Sequence, residues 1–149
     1  MVWGGFSFKA TLPLASISTR TTAEMYTDML EISLVEHAEQ LMGQDFMFQQ
    51  DNAPIHTARA TKKWLQDRNI EVLDWPAISP DLNPIENLWG ILARKVYRNG
   101  RQFQTVSELQ TRIKEAWNQL PIETLQSLIN SMPSRIFEVI SNKGKQTKY

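Results

Sequence analysis

Two carboxylates stand in local sequences that suit chemistry. Asp51 closes the run Phe46-Met47-Phe48-Gln49-Gln50-Asp51, apolar then polar, and is followed by Asn52-Ala53-Pro54-Ile55-His56. A carboxylate at the C-terminal end of a buried strand lies on the edge of an open α/β sheet where ligands bind. The plainer reading is turn chemistry, because Asp, Asn and Pro in succession start turns. Glu86 stands in Ser79-Pro80-Asp81-Leu82-Asn83-Pro84-Ile85-Glu86-Asn87-Leu88-Trp89. There the plainer reading is stronger still. Asn83 as N-cap, Pro84 at the first helical position and Glu86 at the third form a capping arrangement worth about 1 kcal/mol. A glutamate bonded back to its own helix end is not available to a metal.

As a pair the two read differently. One carboxylate at a strand end and one in the first turn of the helix after the adjacent strand can converge above one sheet edge. Side by side without a cation they repel, and one is driven towards protonation. A divalent cation removes that penalty, and oxygen ligands suit magnesium or manganese. Such ions serve phosphoryl transfer by activating the attacking oxygen and stabilising the leaving one.

The elements that must position these residues can be read from the pattern. Val2–Phe8 and Leu12–Ser18 suggest a β-hairpin over 2–18. Thr21-Thr22-Ala23-Glu24 resembles a capping box, and Met25, Met29, Leu30, Leu34, Ala38 and Leu41 follow at helical spacing until Gly43. A buried strand is expected over 46–51, opened by Asp45, then a helix over 57–67 and a strand over 70–74. The loop 75–83 carries Pro76 and Pro80. Pro84 opens a helix with Ile85, Leu88, Trp89, Leu92 and Val96 on one face. Further helices, punctuated by Asn99-Gly100, Pro121 and Pro133, continue to about residue 142. A strand–helix–strand unit of this length implies a parallel pair with a right-handed crossover. The fold class is α/β with a helical tail over 84–142.

Composition narrows the functions. With 149 residues, 42% of them hydrophobic, the chain is long enough for one globular domain, 1–149. No apolar run reaches the ~20 residues of a bilayer span, so no membrane partner is expected, and the N-terminus reads as no secretory signal. The absence of cysteine leaves oxygen or imidazole as the ligands for any metal. Net charge is zero, but residues 1–50 carry −4 and the remainder +4. Basic clusters around Arg59 and Lys62, and around Arg94 and Lys95, are placed to meet phosphate or to form a solvated face.

Gln50-Asp51-Asn52-Ala53-Pro54-Ile55-His56-Thr57-Ala58 resembles the second-aspartate motif of Tc/mariner transposases. Trp75-Pro76 with Ser79–Gly90 resembles their third-carboxylate motif, and 34 residues lie between Asp51 and Glu86. This is the spacing of the Tc-type branch, and a terminal Glu is also Tc-like. The resemblance covers essentially the whole chain. It implies an RNase-H-like fold of the DDE superfamily and DNA transposition and integration by metal-dependent phosphoryl transfer. It further implies Mg2+ or Mn2+, transposon-end and target DNA as partners, and a nuclear location, and it admits a homodimer. Asp51 is then the second catalytic metal ligand and Glu86 the third, with Asn52, His56 and Asn83 supporting the motifs.

The family's first aspartate lies on a central strand that precedes Val2. From the residues given, the RNase-H-like fold is thus expected to be incomplete, the chain inactive as it stands, and its strand edges prone to exchange. The alternative is a non-catalytic DNA-binding or oligomerisation module derived from a transposase. A different RNase-H-like nuclease or integrase is disfavoured by the Ser-Pro-Asp-Leu-Asn-Pro-Ile-Glu run.

Overall fold

In the computed structural model residues 1–43 and 46–149 are described; the expectation that Asp45 opens a strand lies outside the described residues. Two compact units emerge. The first comprises Met1–Gly5 and Leu12–Ile78, the second Phe6–Thr11 and Ser79–Tyr149.

In the first unit β1 (Val2–Trp3) pairs antiparallel with β2 (Ala15–Ser16). Gly5 accepts from the Leu12 amide at 2.8 Å, and a Cβ there would stand 2.9 Å from Leu12 Cδ1. Only glycine lets the buried Leu12 side chain approach so closely.

Helix α1 (Ala23–Leu30) is capped by Thr22, whose hydroxyl accepts from the Met25 amide, one residue later than the sequence suggested. It runs through a π-helical turn (Glu31–Val35) into α2 (Glu36–Met42), and Gly43, at φ 91°, ends the helix. Tyr26, Leu30, Leu34 and Ala38 form the buried stripe, while Met25, expected on that face, is half exposed. A spacing of four drifts roughly 40° per step around an α-helix. The wider π turn, with its i→i+5 bonds, turns the stripe back onto one face.

This stripe packs with Leu12 and Leu65, and Trp3, Phe48, Ile55, Trp64 and Ile70 close around it. Strands β3 (Met47–Phe48) and β4 (Glu71–Val72) pair in parallel, and the Leu73 amide extends the ladder to Phe48 O at 2.9 Å. Between them lie α3 (Pro54–Thr57) and α4 (Arg59–Asp67). The expected single helix over 57–67 therefore starts earlier and is broken at Ala58, whose ψ of 144° is extended. Both strands, β3 and β4, are shorter than the expected stretches 46–51 and 70–74. The two pairs are separate sheets among the described residues.

The second unit is helical: α5 (Pro84–Val96), α6 (Val106–Asn118), α7 (Ile122–Asn130) and α8 (Met132–Ser141). A 3-10 turn, Pro80–Leu82, leads into α5. Leu88, Leu92 and Val96 of α5 are buried, as are Ala116 and Trp117 of α6 and Leu125 of α7. Trp89 stacks on Trp117 with ring centroids 5.3 Å apart. Among the described residues no helix is long and apolar enough to cross a membrane.

Candidate metal-binding carboxylates

Asp51 lies three residues beyond β3, where the ladder ends and the chain turns into α3. Its Oδ1 accepts from the Ala53 amide at 2.9 Å, the side-chain turn expected from Asp-Asn-Ala-Pro. The same oxygen accepts from His56 Nδ1 at 2.6 Å. The plain turn reading is therefore realised, yet it does not use up the group. Both bonds fall on one oxygen, and the side chain keeps 55% of its surface exposed.

His56 is held in turn. Its ring lies 4.7 Å from that of the buried Tyr26, whose hydroxyl donates to Gln50 Oε1 at 2.8 Å. Burial pushes the Tyr26 phenol above its ordinary pKa, so it stays a donor. Asn52 Nδ2 donates to Trp75 O at 2.8 Å, tying the loop after β3 to the loop after β4. A groove of about 400 Å³ opens here, with Asp51, Asn52, His56, Lys62, Asp74 and Trp75 on its walls.

Glu86 belongs to the second unit, as the third residue of α5. Asn83 holds the N-cap position and Pro84 follows, but Asn83 makes no side-chain cap bond. Its Oδ1 is buried without a hydrogen-bond partner. The expected capping arrangement is thus not formed. The Pro80–Leu82 turn has already fixed the chain's entry into α5, and Glu86 N–H donates to the backbone oxygen of Asn83 at 3.1 Å instead. The Glu86 side chain is exposed and carries no hydrogen bond or ion pair among the described contacts.

The segment around Glu86 is pinned by a residue that sequence reading passed over. Arg135, 1% exposed on α8, donates from Nη1 to Asp81 O at 2.6 Å and from Nη2 to Asn87 Oδ1 at 2.8 Å. Asp81 Oδ2 accepts from the Thr147 amide at 2.7 Å, and this bond holds the Asp81 carboxyl below its ordinary pKa. Tyr26 had a signal in sequence, the spacing of four with Leu30, Leu34 and Ala38. Arg135 had none, since a lone arginine between Ser134 and Ile136 reads as surface.

The basic residues separate. Arg59 and Lys62 on α4 and Arg94 on α5 are exposed. Lys95 donates to Gln119 O at 2.7 Å, at the carboxyl end of α6, where the helix dipole favours a cation. Oxygen donors such as Asp51 Oδ2 and the Glu86 carboxylate fit a hard divalent ion. Among the described residues no three His, Asp or Glu side chains come together to hold one.

The family model of the DDE superfamily endonucleases matches residues 2–110. Over all 149 residues the chain is 42% identical to the Tc3 transposase of Caenorhabditis elegans and covers 45% of it. It is similar in structure to the catalytic domain of Mos1 mariner transposase, with TM-score 0.83 and 25% identity, over 99% of this chain and 74% of that one. A Mos1 mariner paired-end complex with Mn matches at TM-score 0.82 and 25% identity, over 99% of this chain and 44% of that one. The chain spans about half the length of the Tc-type transposases that it matches. Its fold is the RNase-H-like α/β fold of that group. With the two carboxylate motifs in family order and the match running through both of them, the chain belongs to the DDE superfamily endonucleases and is similar along its whole length to Tc-type transposases.

Proposed function

We propose that this chain is the part of a Tc-type transposase that supplies two of the carboxylates for metal-dependent phosphoryl transfer on DNA, Asp51 and Glu86. The observation that carries the reading is the Glu86 carboxylate. It stands exposed in the first turn of α5 with no hydrogen bond among the described residues, so the capping role that would occupy it is not taken up. Asp51 is likewise left with one oxygen outside its two bonds.

Magnesium or manganese, when bound, activates the attacking oxygen and stabilises the leaving oxygen of the phosphodiester. The chain's own residues do the rest. His56 and the Ala53 amide fix the rotation of the Asp51 carboxylate, and Asn52 anchors the loop that carries it. Arg59 and Lys62 on α4 and Arg94 on α5 contact DNA phosphates, with Lys62 on the wall of the groove beside Asp51. Lys95 would join them only by giving up its bond to Gln119. The substrates are transposon-end and target DNA, the working location is the nucleus, and a second copy of the chain is the expected assembly partner.

DNA binding by the 149-residue chain, titrated against salt with and without Mg2+, tests the proposal. The expected result is binding that weakens with salt and that Mg2+ strengthens, with the Mg2+ effect lost in Asp51→Ala. Binding that survives Asp51→Ala and ignores Mg2+ would instead mark a non-catalytic DNA-binding module.

A further inference from the structure

We infer that Arg135 is a positioning residue for Glu86, and this rests on reading Glu86 as a metal ligand. The guanidinium sits in the second unit with all three nitrogens engaged. Nε donates to Ser131 Oγ at 2.8 Å at the N-cap position of α8, Nη1 to Asp81 O at 2.6 Å and Nη2 to Asn87 Oδ1 at 2.8 Å. The last two acceptors bracket Glu86 in sequence. One lies in the turn before α5, the other in its first turn. A planar fork that bonds both fixes the turn against the helix, and so fixes the backbone from which the Glu86 side chain projects.

A second layer holds the fork. The Tyr149 ring lies 4.6 Å from the guanidinium carbon. Asp81, whose carbonyl takes one arm, is bonded through its carboxylate to the Thr147 amide. Glu138 of α8 accepts from the Lys148 amide and pairs with its ammonium at 2.6 Å. The carboxylate-bearing turn, α8 and residues 147–149 therefore form one network.

Burying a guanidinium is costly, and an apolar side chain in its place would escape that cost while leaving two buried acceptors unpaired. What an apolar side chain cannot do is bond the Asp81 carbonyl and the Asn87 amide together. Groups that orient a metal ligand from behind change metal affinity by roughly 10- to 100-fold when removed. Arg135 is such a group, acting through Asn87 and the α5 turn and not by touching the ion.

The test uses Mn2+ as probe on the whole 149-residue chain, with affinity read by electron paramagnetic resonance and local order by amide exchange at residues 81–89. Arg135→Lys keeps the charge but cannot span both acceptors, and is expected to weaken Mn2+ binding roughly tenfold and to speed exchange at Glu86 and Asn87. Asn87→Ala, which removes one acceptor and leaves the arginine, is expected to move both readouts in the same direction by less. Leu125→Ala loosens the same unit elsewhere and is expected to lower its melting temperature with Mn2+ affinity unchanged. Arg135→Lys binding Mn2+ as the parent does, or losing no more affinity than Leu125→Ala, overturns the inference. Glu86→Gln binding Mn2+ like the parent overturns the ligand reading itself, whatever Arg135→Lys does.

Discussion

The two carboxylate motifs are held by opposite means. Around Asp51 the carboxylate itself is gripped, by His56 and by a backbone amide two residues on, while the groove beside it stays open. Around Glu86 the carboxylate is left alone and its neighbours are gripped, Asp81 and Asn87 by a buried arginine that arrives from α8. A ligand on a loop needs its own side chain fixed, because the backbone beneath it has few other constraints. A ligand on a helix inherits its direction from the helix, so the scaffold can be fixed and the side chain spared. Orientation in the first case is local in sequence, and in the second it spans about fifty residues.

This contrast breaks first at Arg135. Arg135→Met leaves Asp81 and Asn87 without their donor and is expected to destabilise the second unit by about 3 kcal/mol, read by chemical denaturation with exchange resolved by unit. An unchanged midpoint would show that the network has no part in holding that unit. His56→Ala, the corresponding cut at Asp51, removes one half-exposed hydrogen bond. A loss of about 1 kcal/mol is expected, confined to the first unit.

A smaller effect separates true from nominal caps. Thr105 bonds the Glu108 amide at 3.1 Å, so Thr105→Ala is expected to cost about 1 kcal/mol. Asn83 occupies the same position on α5 without such a bond, and Asn83→Ala is expected to cost less than about 0.5 kcal/mol. Equal losses would restore the capping reading of the Glu86 motif.

The smallest effect is pH dependence. The bond from Thr147 depresses the folded pKa of Asp81 below its unfolded value of about 3.9. Its contribution is therefore present above that value and is lost as pH falls through the folded pKa. Asp81→Asn should flatten the acid limb of the second unit's stability curve below about pH 4. An unchanged limb would show that Asp81 does not report on the tail.

Sequence reading reached the motifs and the order of elements because both are local. Gln50–Ala58 and Ser79–Gly90 carry their chemistry in runs of adjacent residues, and helix ends are marked by backbone geometry at Gly43 and Pro84 and by a side-chain cap at Thr105. It erred where a neighbour decides. Met25 and Tyr26 compete for one helix face, and the π turn at Glu31–Val35, invisible to a fixed period, gives the place to Tyr26. Asn83 has every local sign of an N-cap, yet its side-chain Oδ1 is buried unpaired. Arg135 and its acceptors lie about fifty residues apart, a distance at which no spacing rule operates.

Mn2+ titration of the amide resonances of the 149-residue chain tests the central claim most directly. The account predicts paramagnetic broadening centred on Asp51 and on Glu86, weakened by Asp51→Asn and by Glu86→Gln. Broadening that ignores both substitutions, or that centres on other carboxylates, would contradict the assignment of these two as the chain's metal ligands.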